Sequence, residues 1–465
     1  MQHVILKAKV LEDNTGIYTE IPVIITDNGI FKVYVTYLLA HNTMSISWQY
    51  KAINALGLFI NYTTANQNAF TELRDLFRGF AKRLYTGTLS NDGLDLSGLY
   101  WLPKNTIVVK NIIHHLSQFF DWLNQEEFLS KQIISVNKPT KYEEILSLAA
   151  YHYKRDNSFL GHTWAKSMPY SHKSKLFFEC APKVEVSDIK AFPEAHFHDL
   201  CFKGFINPGR SNSQNLLDSY NLRDILITWL SHYGGVRASE PFHLYVHDVI
   251  NDPFDHDTVM VRIFHPRDGA APMDWLDHEM KPMKCNRDSY LRGKYQLLPR
   301  HHIRGRLHAG WKSPLLDSNM NYFHIHWFPT WAGKMFKLLW DSYILKRAFM
   351  NCNHPFAFVN SKGEPYAIAD YFEAHKRAVE RIDLIPGKAN GTTSHAHRHA
   401  YGQRLRKAGI EPLIIRKALH HKSIDSQNQY TTPSSAEILK IMDSLSKQDD
   451  NGITNILTKY EISRI

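Results

Sequence analysis

The chain has 465 residues, 43% of them hydrophobic, with 55 Lys and Arg against 45 Asp and Glu, a formal net charge of +10, and 27 histidines in addition. That length predicts two or three domains with sizeable cores, and the hydrophobic share excludes a disordered chain. No apolar run nears the roughly 20 residues that cross a bilayer, no signal-peptide pattern opens the sequence, and Cys180, Cys201, Cys285 and Cys352 are too dispersed for a zinc knuckle or a disulfide framework, so a cytoplasmic protein with a polyanionic partner is expected.

Residues 4–34 are rich in Val, Ile and Thr and are broken by Asp13-Asn14 and Asp27-Asn28-Gly29. They read as two or three short strands, an accessory arm or a cap on the next domain. Helical periodicity begins near Ser45, a candidate N-cap, with Trp48, Ala52, Leu56, Phe59 and Ile60 on one face. A second helix is predicted over Thr71–Leu84. A third, from about Pro103, carries Ile112, Leu116, Phe119, Phe120 and Leu123. Lys51, Arg74, Arg78, Lys82, Arg83, Lys104 and Lys110 are candidate phosphate contacts or simply solvated faces. Prolines 139, 169, 182, 193 and 208 interrupt residues 136–210, which read as an extended linker.

From Leu216 a helix is predicted up to the Gly234-Gly235 break, which places Arg237 just past its end. Thr258–Phe264 alternates as a strand, and a polar stretch punctuated by Pro and Gly runs on from His265 to Gly310. Tyr322–Phe328 is the next strand, Trp331–Arg347 an amphipathic helix, and Ala367 to about Ile382 another. A basic helix, a stop at Gly409 and a further helix then lead through Leu419-His420-His421 to Tyr430. In Gln403–Gly409, and at Arg416, Lys417 and Lys422, the basic side chains suit backbone phosphates. An apolar stripe lies beyond, at Ile438, Leu439, Ile441 and Met442.

A histidine and an arginine three apart, as in His395-Ala396-His397-Arg398, share one face of a helix and can reach one anion. Cations to hold a phosphate, imidazoles to move protons and a phenol to attack make an inventory for phosphodiester chemistry. The spaced pairs His395-x-His397-x-His399 and His324-x-His326 and the adjacent His301-His302 invite a metal reading. Alternate residues diverge on a helix, however, and no carboxylate or cysteine stands at ligand spacing. No metal and no cofactor is expected.

Arg237 in Gly235-Val-Arg-Ala-Ser-Glu240, His395-x-x-Arg398, His421 after a leucine, and Tyr430 nine residues on resemble the active-site set of the tyrosine recombinases, the phage integrase family of site-specific DNA recombinases. The likeness covers the last half of the chain well and the first third loosely. It implies a mainly α fold with small β-sheets (α+β): an N-terminal β-rich segment at 1–35, a helical core-binding domain clamping DNA at 36–135, a linker at 136–210, a catalytic domain at 211–445 and a tail at 446–465. It also implies the roles. Arg237 and Arg398 would hold the phosphate, Tyr430 would attack it, His395 would take the phenolic proton and His421 would donate to a non-bridging oxygen. A lysine would protonate the leaving 5′ oxygen: Lys312, with Lys294 and Lys284 as alternatives. Glu240 would brace a catalytic group.

Two departures stand out. His420 occupies the place of the family's glycine and competes with His421, and His397 replaces a common leucine and should face the core or a polar neighbour. The expected activity is site-specific recombination or integration for a mobile element, with double-stranded DNA, a homo-tetramer on two DNA sites and accessory proteins as partners, on the nucleoid rather than a membrane. A family member that binds DNA without cutting it is the alternative, and a histidine-rich metallohydrolase is a third reading.

Overall fold

A computed structural model describes residues 3–422 apart from 13–15, 17, 68, 71–72, 91, 126–140, 157–189, 208, 210–215 and 318. Tyr430, the stripe at 438–442 and the tail at 446–465 lie outside the described residues, as do Pro139, Pro169, Pro182 and Pro208 of the expected linker. The chain forms two units, Met1–Lys183 and Val184–Ile465. Both are mainly helical, and each carries a three-stranded antiparallel sheet, which is the expected fold class.

In the first unit β1 (His3–Leu11) pairs with β2 (Tyr18–Thr26), with His3 opposite Thr26, and β2 with β3 (Gly29–Ile30). Residues Lys32–Ala40, rich in Val and Tyr, form a helix, α1. Helix α2 (Ile46–Ala65) starts where the Ser45 hydroxyl accepts from the Trp48 amide at 3.2 Å, satisfying one of the orphan donors of the first turn. Helices α3 (Leu73–Thr86), α4 (Thr106–Gln125) and α5 (Lys141–Asp156) come next. Ile21, Val23 and Ile24 of β2 share one core with Leu56 and Phe59 of α2, Phe77 and Phe80 of α3, and Leu116 and Phe120 of α4. The N-terminal strands are thus built into the helical body. Phe59 meets Phe77, Phe80 and Phe120 edge-on at 5.3 to 5.8 Å between centroids, the geometry that adds about 1 kcal/mol per pair to burial.

In the second unit Phe192, Phe197, Leu200, Cys201 and Phe205 are core residues, although 136–210 reads as a linker. Their backbone changes type every few residues, from a 3₁₀ turn at Glu194–His196 through α6 (Phe197–Asp199) to a π turn at Leu200–Gly204, so no single helical period marks them. The helix expected from Leu216 divides into α7 (Leu216–Ser219) and α8 (Leu222–Gly234). β4 (Val249–Asn251), β5 (Val259–Phe264) and, after α9 (Arg287–Tyr295), β6 (Tyr322–His324) make the second sheet, with Arg262 opposite His324. β6 is shorter than the expected 322–328: the Ile325 amide still donates to the Val261 carbonyl, and by Phe328 the chain has turned to the Tyr233 carbonyl of α8.

Helix α9 falls in the stretch expected to be irregular. Asn286 caps it at 2.9 Å, and it buries Tyr290 and Leu291. Inside this region Arg287 forms a buried ion pair with Asp248 and lies over the Tyr245 ring. Helices α10 (Trp331–Ala348), α11 (Ile368–Arg381), α12 (Ala396–Lys407) and α13 (Pro412–Ala418) complete the unit. α10, α11 and α12 all pack on α8, which explains why α8 is buried on every side from Asp224 to Gly234. No helix among the described residues is long and apolar enough to cross a membrane.

Candidate active site

The site is assembled around the end of α8. Gly235 closes that helix at φ 68°, and a Cβ there would stand 2.4 Å from the Tyr401 ring of α12. Only glycine meets both demands. The left-handed turn points the Gly235 carbonyl at the Arg398 guanidinium, which donates to it and, at 2.5 Å, to the Leu419 carbonyl at the end of α13. Arg398 is 1% exposed, so these two bonds lock a buried, permanently charged plane across three chain segments.

Two residues past the turn, Arg237 donates from Nη1 to Glu240 Oε1 at 2.8 Å, and its backbone amide donates to Oε2 at 2.8 Å. The Glu240 carboxylate is fully buried. Its contacts go to Arg237 itself, to both the side chain and the backbone amide.

His395 stands at the N-cap of α12, with its ring 4.7 Å from that of His399 one turn on. Desolvation, then the charges of Arg398, Lys312, Arg237 and Lys388, hold its pKa down at about 4. His421 is buried and held at about 3 by desolvation, Arg398, Arg237 and Arg416. Both imidazoles are therefore neutral at pH 7. Lys312 acts on His395 from the loop before β6, whereas Lys294 is bound to Asp274 Oδ2 at 2.8 Å. Lys284 is exposed.

The two departures resolve differently. His420 takes φ 54°, the conformation glycine adopts without strain. Its ring lies 4.0 Å from that of Phe323, and its carbonyl accepts from the Leu315 amide at 3.1 Å, tying the Lys312 loop to the His421 turn. His397 points away from His395, as a 100° step per residue requires. It is fully buried between His232 of α8 and His375 of α11. Neither partner carries a sequence signal: each is a single histidine with no motif around it. Among the described residues no three His, Cys, Asp or Glu side chains are grouped to hold a metal.

Several basic side chains are turned inward. Arg404 donates to Glu194 at 2.7 Å, and Arg416 to the carbonyls of His421 and Lys422, so neither is simply a surface phosphate contact.

Residues 336–437 match the family model described as the phage integrase family. This part of the chain is a phage integrase family domain. The match takes in His395, Arg398, His421 and Tyr430, and begins after Arg237 and Lys312. No curated protein matches the chain. Among solved structures, the chain is similar to the XerH site-specific recombinase bound to palindromic difH substrate (13% identity, 85% of this chain and 80% of that one, TM-score 0.44). It is also similar to the Tn1549 transposon integrase in complex with transposon right end DNA (12%, 89% and 98%, 0.40) and to the lambda integrase bound to DNA (12%, 84% and 96%, 0.33). At these scores the likeness assigns no role to any residue of the integrase-family domain.

Proposed function

We propose that the protein is a tyrosine-type site-specific DNA recombinase, the integrase of a mobile element, acting on double-stranded DNA as a tetramer on two sites. One observation carries the reading. Arg237, Lys312, His395, Arg398 and His421 come from four separate segments, yet Arg237 and Arg398 both act on His395 and on His421, and Lys312 acts on His395.

Two guanidiniums there suit the non-bridging oxygens of a phosphodiester, where negative charge grows during attack. The Tyr430 oxygen bonds to phosphorus as the bond to the 5′ oxygen breaks. His395, neutral and beside these cations, accepts the phenolic proton. Lys312 gives a proton to the leaving 5′ oxygen, and His421 donates to a non-bridging oxygen. The product is a 3′-phosphotyrosyl link and a free 5′ hydroxyl, and a 5′ hydroxyl from a second strand reverses the step. The left-handed backbone at His420 supports cutting over the non-cutting alternative, because it supplies the turn that the missing glycine would give.

Nicked duplexes made from the DNA flanking the gene test the reading. A covalent protein–DNA adduct that is absent in Tyr430→Phe is expected. Tight binding without an adduct would favour the non-cutting alternative, and no binding would remove both.

A further inference from the structure

Three imidazoles form a buried line behind the site. His232 Nδ1 lies 3.1 Å from His397 Nδ1, and His397 Nε2 lies 2.8 Å from His375 Nε2. None of the three rings is more than 3% exposed. His232 is stacked on Phe197 at 3.6 Å and His397 on Phe192 at 4.3 Å, which fixes the planes of both rings.

The line has a direction. A guanidinium can only donate, and Arg404 Nη2 stands 2.7 Å from His232 Nε2. Glu194 Oε2 is farther from the same nitrogen, at 3.2 Å, so Arg404 is the closer partner. His232 Nε2 therefore accepts, and its proton sits on Nδ1. That proton is donated to His397 Nδ1, which leaves the His397 proton on Nε2 to be donated to His375. Each ring carries one proton, and each bond fixes the tautomer of the next.

We propose that His232, His397 and His375 are positioning residues, a directed hydrogen-bond line that sets the rotation of α12 against α8 and α11 and so aims His395 and Arg398. The proposal rests on the reading of the site given above. His397 lies between those two residues in sequence, so a turn of α12 about its axis would move both.

Two substitutions at His397 separate this role from simple packing. Glutamine offers an amide oxygen to accept from His232 and an amide N–H to donate to His375. Leucine fills similar space and does neither. The rate of adduct formation is measured on the nicked duplex at saturating DNA, together with DNA affinity. The line predicts that His397→Gln stays within about 3-fold of wild type, and that His397→Leu falls at least 10-fold with affinity little changed. Leucine at wild-type rate, or both variants equally slow, would overturn the proposal. If wild type itself gives no adduct, the functional reading fails. The line is then judged by thermal unfolding: a His397→Leu midpoint below that of His397→Gln supports it, and an equal or higher one rejects it.

Discussion

His420 sets two opposing effects against each other at one position. Its backbone holds φ 54°, which costs a residue with a side chain about 1 kcal/mol more than glycine. Its ring is 4% exposed and packed on Phe323, and truncating a buried ring of this size costs on the order of 3 kcal/mol. His420→Ala loses the ring and keeps the strain, a net loss of about 3 kcal/mol. His420→Gly loses the ring and relieves the strain, a net loss of about 2 kcal/mol. The expected order of stability is wild type, then Gly, then Ala, with the two variants about 2 °C apart in thermal midpoint for a unit of this size. Thermal unfolding followed by tryptophan fluorescence measures it. An alanine variant as stable as the glycine variant would show that the turn is unstrained, and a glycine variant above wild type would show that the ring contributes less than the strain costs.

Two further outcomes stem from the charges. His232 and His375 are held at about 4, chiefly by burial, with Glu194, Arg404 and His198 the charged or titratable groups acting on His232 besides His397. The unfolded chain binds their protons more readily, so this stabilisation is complete above the unfolded value of about 6.5 and is lost as pH falls toward 4. Each should remove ~2 kcal/mol between pH 7 and pH 5, and an unfolding free energy that stays flat over that interval would refute it. Lys312→Ala should slow cleavage about 10²–10⁴-fold, with recovery on DNA bearing a bridging sulfur at the leaving 5′ position, since a thiolate departs without a proton. Lys294→Ala, which loses only a partly exposed bridge to Asp274, should leave the rate unchanged. The same loss in both variants would reassign the proton donor.

The sequence made some elements legible and hid others for identifiable reasons. The 3.6 period and the serine cap mark α2, because one face is apolar and its N-terminus has a donor-satisfying residue. α9 hides because Tyr290 and Leu291 are adjacent, with charged residues around them, and give no stripe. α1 hides because Val33, Val35 and Thr36 favour strands locally, and packing of Tyr34, Tyr37 and Leu38 on the unit's core overrides that preference. At the candidate site, His395 and Arg398 are placed on one helix face by their spacing, whereas Arg237 is marked only by the family resemblance. The line through His232, His397 and His375 is invisible, since its members meet only after α8, α11 and α12 have packed.

Cations crowd the candidate site, on a chain already at +10, and the structure compensates them largely without carboxylates. Arg398 is tied to the Gly235 and Leu419 carbonyls, Arg416 to those of His421 and Lys422, and Arg404 to those of His232 and Phe328. Glu240 on Arg237 and Glu194 on Arg404 are the exceptions. A carbonyl dipole fixes a guanidinium's plane yet leaves its net charge in place, whereas a carboxylate cancels it. The field at the site thus stays positive, and His395, His399 and His421 remain neutral, each with its pKa pressed down first by burial and then by neighbouring charges, Arg398 among them in every case. Arginine supplies the fixed charge and histidine the adjustable proton. An anion entering such a field would offset the cations that press on His395 and make it a stronger base at the moment a phosphate is in place, which ties the proton transfer proposed for Tyr430 to binding of the DNA backbone.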